Sequence, residues 1–110
     1  MGEIGCNVEK ALNIIGGKWT TLIVRDLLDG PRRFTELRKS LHDISPKSLT
    51  TRLKNLEHHS VISRTVFAEI PPRVEYSLTE YGRKLQGVIG ALEEWGRIEP
   101  PKVSVISKES

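Results

Sequence analysis

Apolar residues near the start of the chain recur with the period of an α-helix, about 3.6 residues per turn. They fall into two stretches: Val8, Ala11, Leu12 and Ile15, followed by Trp19, Leu22, Ile23 and Leu27. Gly16 and Gly17 separate the two stretches, and glycine commonly ends a helix. The segment Asp29, Gly30 and Pro31 favours a turn after the second stretch. The pattern therefore predicts two short helices, one on each side of the glycine pair.

Two further helices are predicted from residues that commonly cap helices. Thr35 can cap a brief third helix, in which Leu37 and Leu41 lie one turn apart. Ser45 is expected to cap a fourth helix with Pro46 at its first position, where the missing N–H of proline does no harm. This helix would turn three leucines towards the core: Leu49, Leu53 and Leu56.

Between Val61 and Leu78 the pattern changes to a period of two, which is typical of half-buried strands. The two runs are separated by residues 69–72, a connection too long for a two-residue turn. Pro71 and Pro72 restrict the backbone of this connection. We therefore expect a hairpin with a stiff, projecting loop.

The end of the chain is predicted to form one more helix, capped by Thr79. Its apolar stripe is long: Tyr81, Leu85, Val88, Ile89, Leu92 and Trp95. The helix is expected to end near Gly96 or Pro100, so that residues 1–99 form one domain and residues 100–110 a mostly polar tail. The tail holds three apolar residues that could add an edge strand: Val103, Val105 and Ile106.

The predicted order is helix, helix, short helix, capped helix, hairpin, helix. It is typical of a winged helix-turn-helix, a mainly α fold with a small β-hairpin wing. The stripe of the last helix exceeds what a small domain can cover, so the N- and C-terminal helices are expected to pair with a second chain. The alternative is that these two helices pack on each other within one subunit. The residues expected in the dimer interface are Val8, Leu12, Leu85, Val88, Ile89, Leu92 and Trp95.

Positive charge is unevenly distributed along the chain. The net charge is +3, and nine of the 17 Lys and Arg residues lie between Pro31 and Arg73, with only four acidic residues among them. One face is therefore expected to attract an anionic partner. The single cysteine, Cys6, excludes an intrachain disulfide. With neither a secretory signal nor an apolar run of about 18 residues, the protein is expected in the cytoplasm and not in a membrane.

The face of the fourth helix opposite the leucines carries many hydrogen-bond donors and few acids. Short hydroxyls can approach base edges in a DNA major groove, and lysines can meet phosphates or guanine. Arg52 projects nearer the leucine side and is assigned to phosphate or to bracing the wing. The residues expected to contact double-stranded DNA are Ser45, Lys47, Ser48, Thr50, Thr51, Arg52 and Lys54 on the helix, and Arg64, Arg73, Arg38 and Lys39 on and around the wing. Each cation taken singly is more commonly a solvated surface charge.

Four blocks of the sequence carry a resemblance to a known family: residues 15–19 (IGGKW), 29–34 (DGPRRF), 44–57 (ISPKSLTTRLKNLE) and 71–79 (PPRVEYSLT). In this order and spacing they resemble HxlR-type regulators, relatives of the MarR group, from Cys6 to about Gly96. The resemblance implies that residues 44–57 are the recognition helix and residues 71–79 part of the wing. It also implies a dimeric bacterial or archaeal transcription regulator, and a two-fold dimer is expected to bind an inverted-repeat operator.

Cys6 lies where several members of that family carry a cysteine that senses quinones, aldehydes or oxidants. Independently of the resemblance, the partial positive charge at a helix N-terminus favours the thiolate form of a nearby thiol. Lys10 adds to this effect and Glu9 opposes it. A small-molecule electrophile or oxidant is thus a candidate partner. The alternative is an incidental cysteine.

Metal binding and catalysis are not expected. His58 and His59 are adjacent and would point about 100° apart on a helix, so they cannot converge with His42 on one ion. No nucleophile–base pair and no phosphate-binding glycine loop is recognisable, so neither an enzyme nor a cofactor is predicted. The remaining alternative is a winged-helix module that binds an acidic protein or RNA, which would show no salt-dependent binding to duplex DNA.

Overall fold

The computed structural model describes residues 6–102, which contain six helices and three short strands. The elements are α1 (Asn7–Ile15), α2 (Lys18–Leu27), β1 (Arg32–Arg33), α3 (Phe34–Ser40), α4 (Pro46–His58), β2 (Ile62–Phe67), β3 (Arg73–Leu78), α5 (Glu80–Arg83) and α6 (Gln86–Arg97). This confirms the expected mainly α fold with a small β-hairpin. The predicted edge strand at Val103, Val105 and Ile106 lies outside the described residues, as does most of the predicted tail.

The boundaries of α1 and α4 follow the signals read from the sequence. The N–H of Gly16 donates to the Leu12 carbonyl as α1 ends, which confirms the predicted stop. At the start of α4, the backbone N–H of Ser48 donates to the Ser45 hydroxyl oxygen at 3.0 Å, and Pro46 occupies the first turn. The predicted cap of α4 is confirmed.

The predicted cap of α3 is wrong by two residues. Thr35 lies inside the helix, which begins at Phe34 directly after Arg33. The Glu36 carboxylate accepts a hydrogen bond from the backbone N–H of Arg33 at 2.8 Å. A glutamate at the third helical position can cap the N-terminus by accepting from the backbone N–H that precedes the helix, whereas Thr35, inside the first turn, is not at the capping position.

The sheet has three antiparallel strands in the order β1-β3-β2. The hairpin of β2 and β3 was predicted, but β1 was not, since two residues are too few to show an alternating pattern. β1 places Arg32 opposite Tyr76, and β2 places Arg64 opposite the same tyrosine. These three residues therefore share one face of the sheet, because directly paired residues point to the same side.

The single predicted C-terminal helix is wrong, because the chain forms two helical segments there. Thr79 caps α5 as expected, its hydroxyl oxygen accepting from the Gly82 N–H at 3.0 Å. The N–H groups of Lys84 and Leu85 then bond to carbonyls only three residues back, which tightens the backbone before α6 begins. Gly82 packs so closely on the Val61 carbonyl that a Cβ atom would clash with it.

One hydrophobic core joins α2, α3, α4, the hairpin and α6. Its buried members are Ile23, Val24, Leu27, Leu37, Leu41, Ile44, Leu49, Leu53, Leu56, Val61, Ile62, Leu78 and Ile89. The three leucines of α4 are in this set, as predicted, so the opposite face of α4 is turned towards solvent. Between residues 6 and 102, no helix has the length and apolar character needed to span a membrane.

Candidate DNA-binding surface and cysteine site

The solvent-facing side of α4 presents two lysines and two threonines. Lys47, Thr50, Thr51 and Lys54 are all exposed. The Thr51 hydroxyl donates to the Lys47 carbonyl at 3.0 Å, so its oxygen remains available only as an acceptor. This face can therefore offer two ammonium groups, hydroxyl oxygens and methyl groups to a partner. Such a mixture suits the edges of base pairs flanked by phosphates.

Ser45 and Ser48 are less available than the sequence indicated. The Ser45 hydroxyl caps α4, and the Ser48 hydroxyl accepts a hydrogen bond from Nε of Arg52 at 3.2 Å. Ser48 is also half-buried. Both hydroxyls retain a proton to donate, but their positions are set by contacts within the protein. Together with neighbouring side chains they line a shallow depression of about 330 Å³: Ser45, Lys47, Ser48, Thr51 and Arg52.

Arg52 connects α4 to α2. Its Nη1 atom donates to the Thr20 hydroxyl at 3.4 Å, and Thr20 is 4% exposed. From the sequence we expected Arg52 to contact phosphate or to brace the wing, whereas its hydrogen bonds in the described chain go to Ser48 of α4 and Thr20 of α2. Thr20 was not recognised from the sequence, because nothing in the pattern marks a buried threonine as the partner of an arginine 32 residues away.

A groove of about 350 Å³ separates α4 from the wing, and it brings together cations from both. Its lining residues are Thr50, Leu53, Lys54, Glu57, Arg64 and Tyr76. Lys54 and Arg64 are exposed, and neither forms an ion pair with another residue in the range 6–102. Only Glu57 contributes a negative charge. Tyr76 was missed by the sequence reasoning, because it was counted simply as a strand residue.

Arg73 lies on the other face of the hairpin from Arg64. Its Nη1 is 3.0 Å from the Glu69 carboxylate, and its Nε is 3.3 Å from the Glu75 carboxylate. The guanidinium also stacks over the Phe67 ring, with Cζ 4.1 Å from the ring centroid. The side chain is only 27% exposed. Its charge is thus balanced within the wing, unlike that of Arg64.

Arg38 and Lys39 lie in the last turn of α3 and are both exposed. Within residues 6–102 neither forms an ion pair. Positive side chains at a helix C-terminus also interact favourably with the helix dipole. Both positive charges are therefore available to an anion near the C-terminus of α3.

Cys6 is exposed and directly precedes α1. Its thiol makes no capping hydrogen bond, and its carbonyl accepts from the Lys10 N–H at 3.0 Å. The backbone N–H groups of Glu9 and Val8 nevertheless lower the pKa of the Cys6 thiol below its ordinary value, with slight desolvation opposing them. An accessible thiol with a lowered pKa is a reactive one, because the thiolate is the nucleophile.

An apolar surface remains uncovered on α1 and α6. Val8 and Leu12 on α1 are more than half exposed, and so are Leu92 and Trp95 on α6. Val88 is 45% exposed, and Leu85 is half-buried against the core. Ile89 behaves differently from the rest of the predicted interface, because it is buried in the core of its own subunit.

The arrangement of α3, a short turn, α4 and an adjacent hairpin defines a winged helix-turn-helix protein. Residues 14–102 match the model of the HxlR-like helix-turn-helix family, and the chain belongs to that family.

The comparisons with individual proteins agree with this assignment. The chain is 49% identical over 92 residues to the uncharacterized HTH-type transcriptional regulator YdeP of Bacillus subtilis, covering 84% of this chain and 72% of YdeP. It is 41% identical over 96 residues to the regulator YodB of the same organism, covering 86% of each chain. The chain is therefore a transcriptional regulator of the HxlR and MarR type, and its relatives are not enzymes.

Among solved structures, the oxidized form of the redox regulator HypR superimposes with a TM-score of 0.82 at 39% identity, covering 88% of this chain and all of that one. Quinone-bound YodB from B. subtilis superimposes with a TM-score of 0.70 at 37% identity, covering 82% and 94%.

Proposed function

We propose that this regulator binds an inverted-repeat DNA operator as a homodimer, with α4 in the major groove and the wing beside it. The observation that carries the proposal is the convergence of Lys54 and Arg64 on the groove between α4 and the wing. Two cations from separate elements meet there without partners from the described chain. A DNA backbone entering the groove would supply the missing negative charge.

Specific recognition is assigned to the exposed face of α4. The Thr50 hydroxyl can donate to an adenine or guanine acceptor, whereas the Thr51 hydroxyl, which already donates to Lys47, can accept from an adenine or cytosine amino group. The methyl group of either threonine suits a thymine methyl group. Lys47 and Lys54 flank them on the same helix. Arg52 takes part indirectly, because its bond to Thr20 holds α4 against α2. Binding is therefore expected to depend on sequence through the threonines and on salt through the lysines.

Dimerisation is assigned to the uncovered faces of α1 and α6. At about 100° per residue, Val88, Leu92 and Trp95 fall on one side of α6, while Ile89 is turned away from them. The core takes Ile89 and leaves the other three to solvent. A second copy that buried these side chains together with Val8 and Leu12 would remove a large apolar surface from water. A two-fold dimer would then present two recognition helices to a palindromic site.

Regulation by electrophiles or oxidants is assigned to Cys6. Its exposure and lowered pKa favour attack on such compounds. Among the related structures, HypR is a redox regulator, and YodB occurs in quinone-bound and diamide-treated forms. With one cysteine per chain, the available products are a disulfide between subunits, a mixed disulfide or an adduct. Since Cys6 adjoins α1, such a product would act at the proposed subunit interface.

The DNA-binding proposal is tested by selecting duplexes from a random pool and titrating the selected duplex at several salt concentrations. We expect one enriched inverted repeat and an affinity that falls steeply with salt. The slope of log affinity against log salt should decrease by about one unit in Lys54→Ala, as one phosphate contact is lost. Enrichment of no sequence, with binding only to RNA or to an acidic protein, would contradict the proposal.

A further inference from the structure

The tip of the wing exposes an apolar surface that the proposed contacts leave unexplained. Residues 68–72 join β2 to β3 and hold Ala68, Ile70 and two prolines, all exposed. Ile70 is completely exposed to solvent, more than any other large hydrophobic residue in the described chain. A single exposed hydrophobic residue is common on protein surfaces. Ile70, however, lies at the end of a projecting hairpin, close in sequence to Ala68 and the two prolines.

Arg73 holds this tip in place. It joins Glu69, within the loop, to Glu75 on β3, and it stacks on Phe67 at the end of β2. One guanidinium therefore ties the loop to both strands that carry it. Proline rings at positions 71 and 72 restrict the backbone further. The conformation that exposes Ile70 is consequently established in the free protein, so little ordering is left to oppose binding.

The same contacts offset part of the negative charge near the tip. The Arg73 guanidinium lies 3.0 Å from the Glu69 carboxylate and 3.3 Å from the Glu75 carboxylate, so two carboxylates share one cation. Arg64, on the opposite face of the hairpin, lines the groove beside α4 and has no ion-pair partner among residues 6–102. The wing therefore carries a cation on the face next to α4 and an apolar group at its tip.

From this geometry we infer that Ile70 is a wedge that enters the DNA minor groove and bends the operator, and that Arg73 is a positioning residue for it. The inference rests on the proposed DNA-binding function. Isoleucine is among the side chains that partly unstack base steps from the minor groove, with kinks of about 20–90°. Such a kink turns the duplex towards its major groove, away from the wedge, and allows sequence preference at steps that no side chain reads directly.

The test measures operator bending and affinity with the duplex recovered by selection, labelled at its ends for energy transfer. Wild type is expected to shorten the end-to-end distance. Ile70→Ser should abolish most of this bend and weaken binding about tenfold, equivalent to about 1.4 kcal/mol, without changing the salt slope. Ile70→Leu keeps an apolar wedge and should bend the duplex as wild type does. Circular dichroism checks that each variant folds.

Arg73→Lys separates positioning from phosphate contact. Lysine keeps the charge but lacks the planar fork that reaches two carboxylates. If Arg73 is a positioning residue, Arg73→Lys and Arg73→Gln should both lose the bend and keep the salt slope of wild type. If Arg73 instead contacts a phosphate, Arg73→Lys should keep the affinity of wild type, and only Arg73→Gln should reduce the salt slope.

Two further results would count against the inference in different ways. If wild type binds the selected duplex without bending it, or if Ile70→Ser behaves as wild type, the wedge is refuted and the DNA-binding proposal stands. If wild type selects and binds no duplex, the proposed function itself fails, and the inference fails with it.

Discussion

Arg64 and Arg73 lie in the same hairpin but project from its opposite faces. Arg64 is paired in register with Tyr76 and lines the groove next to α4, whereas Arg73 is paired with Phe67 and forms ion pairs with two glutamates. Strand geometry requires this separation, since neighbouring side chains alternate between faces. We therefore propose different roles for two arginines that the sequence does not distinguish: Arg64 contacts DNA, and Arg73 shapes the wing.

A first prediction separates two of the three Lys and Arg residues of α4, Arg52 and Lys54. Arg52→Ala should lower the free energy of unfolding by about 1 kcal/mol, because the hydrogen bonds to Ser48 and Thr20 are lost. Lys54→Ala should leave stability unchanged, because Lys54 is exposed. Urea unfolding of both variants measures the difference. Equal stability of the two variants would show that Arg52 does not brace α4.

A second prediction concerns the apolar stripe of α6. Leu92→Asp should convert the dimer to monomers, because a carboxylate in an apolar interface must be desolvated or protonated. Light scattering measures the mass of each species. Gln86→Glu adds the same charge to an exposed position on the same helix, away from the stripe, and should remain dimeric. A Leu92→Asp protein that stays dimeric would move the interface to another surface.

Ile89 provides a contrasting case on the same helix. Because it is buried in the subunit core, Ile89→Ala should lower the free energy of unfolding by about 2–5 kcal/mol, and the effect should persist in a Leu92→Asp background. Denaturant unfolding of the single and double variants checks this. A loss of stability seen only in the dimer would instead place Ile89 at the interface.

A third prediction concerns the reactivity of Cys6. The pKa of the thiol is lowered by the backbone N–H groups of Glu9 and Val8, so more thiolate is present at neutral pH than in an ordinary cysteine. The rate of alkylation by iodoacetamide, plotted against pH, should have its midpoint lower in the folded protein than in guanidinium chloride. Coinciding midpoints would show that the start of α1 does not activate the thiol.

The same cysteine should couple binding to oxidation. Diamide accepts two electrons and two protons as two thiols form a disulfide. Treatment of wild type with diamide should change operator affinity, and reductant should restore it. Cys6→Ser should not respond. An equal response in the serine variant would mean that Cys6 is not the sensor.

A fourth prediction tests the close approach of α5 to the start of β2. Gly82→Ala should lower the free energy of unfolding by about 1–3 kcal/mol, because the added Cβ meets the Val61 carbonyl. Gly90→Ala is the control, since its Cβ would point into open space. Better helix propensity should make that variant more stable by up to about 1 kcal/mol. Similar effects of both substitutions would contradict the packing described.

The sequence predicts the elements of this fold well where a strong local signal exists. The Ser45–Pro46 start of α4 and the hairpin of β2 and β3 are examples, and both are confirmed. The burial of the two strands does not alternate as the pattern predicted, because Val66 is 54% exposed. The sequence does not predict the elements that depend on contacts between distant parts of the chain. β1 is only two residues long, and the chain breaks between α5 and α6 shortly after Gly82, which packs on the distant Val61 carbonyl.

The candidate site was also predicted from the sequence only in part. Periodicity was sufficient to place Lys47, Thr51 and Lys54 on the exposed face of α4. It could not reveal that Arg52 reaches Thr20 or that Arg73 is held by two carboxylates, because both contacts depend on how distant segments meet. A list of cations in a sequence therefore overstates the number available to a ligand.

The most direct measurement of the central proposal is a hydroxyl-radical footprint of wild type on the selected duplex. A two-fold dimer with α4 in the major groove predicts two protected zones on one face of the DNA, with centres about 34 Å apart or a multiple of that distance. Lys54→Ala combined with Arg64→Ala should weaken both zones equally. Protection of one isolated zone at saturating protein, or no protection at all, would contradict the account.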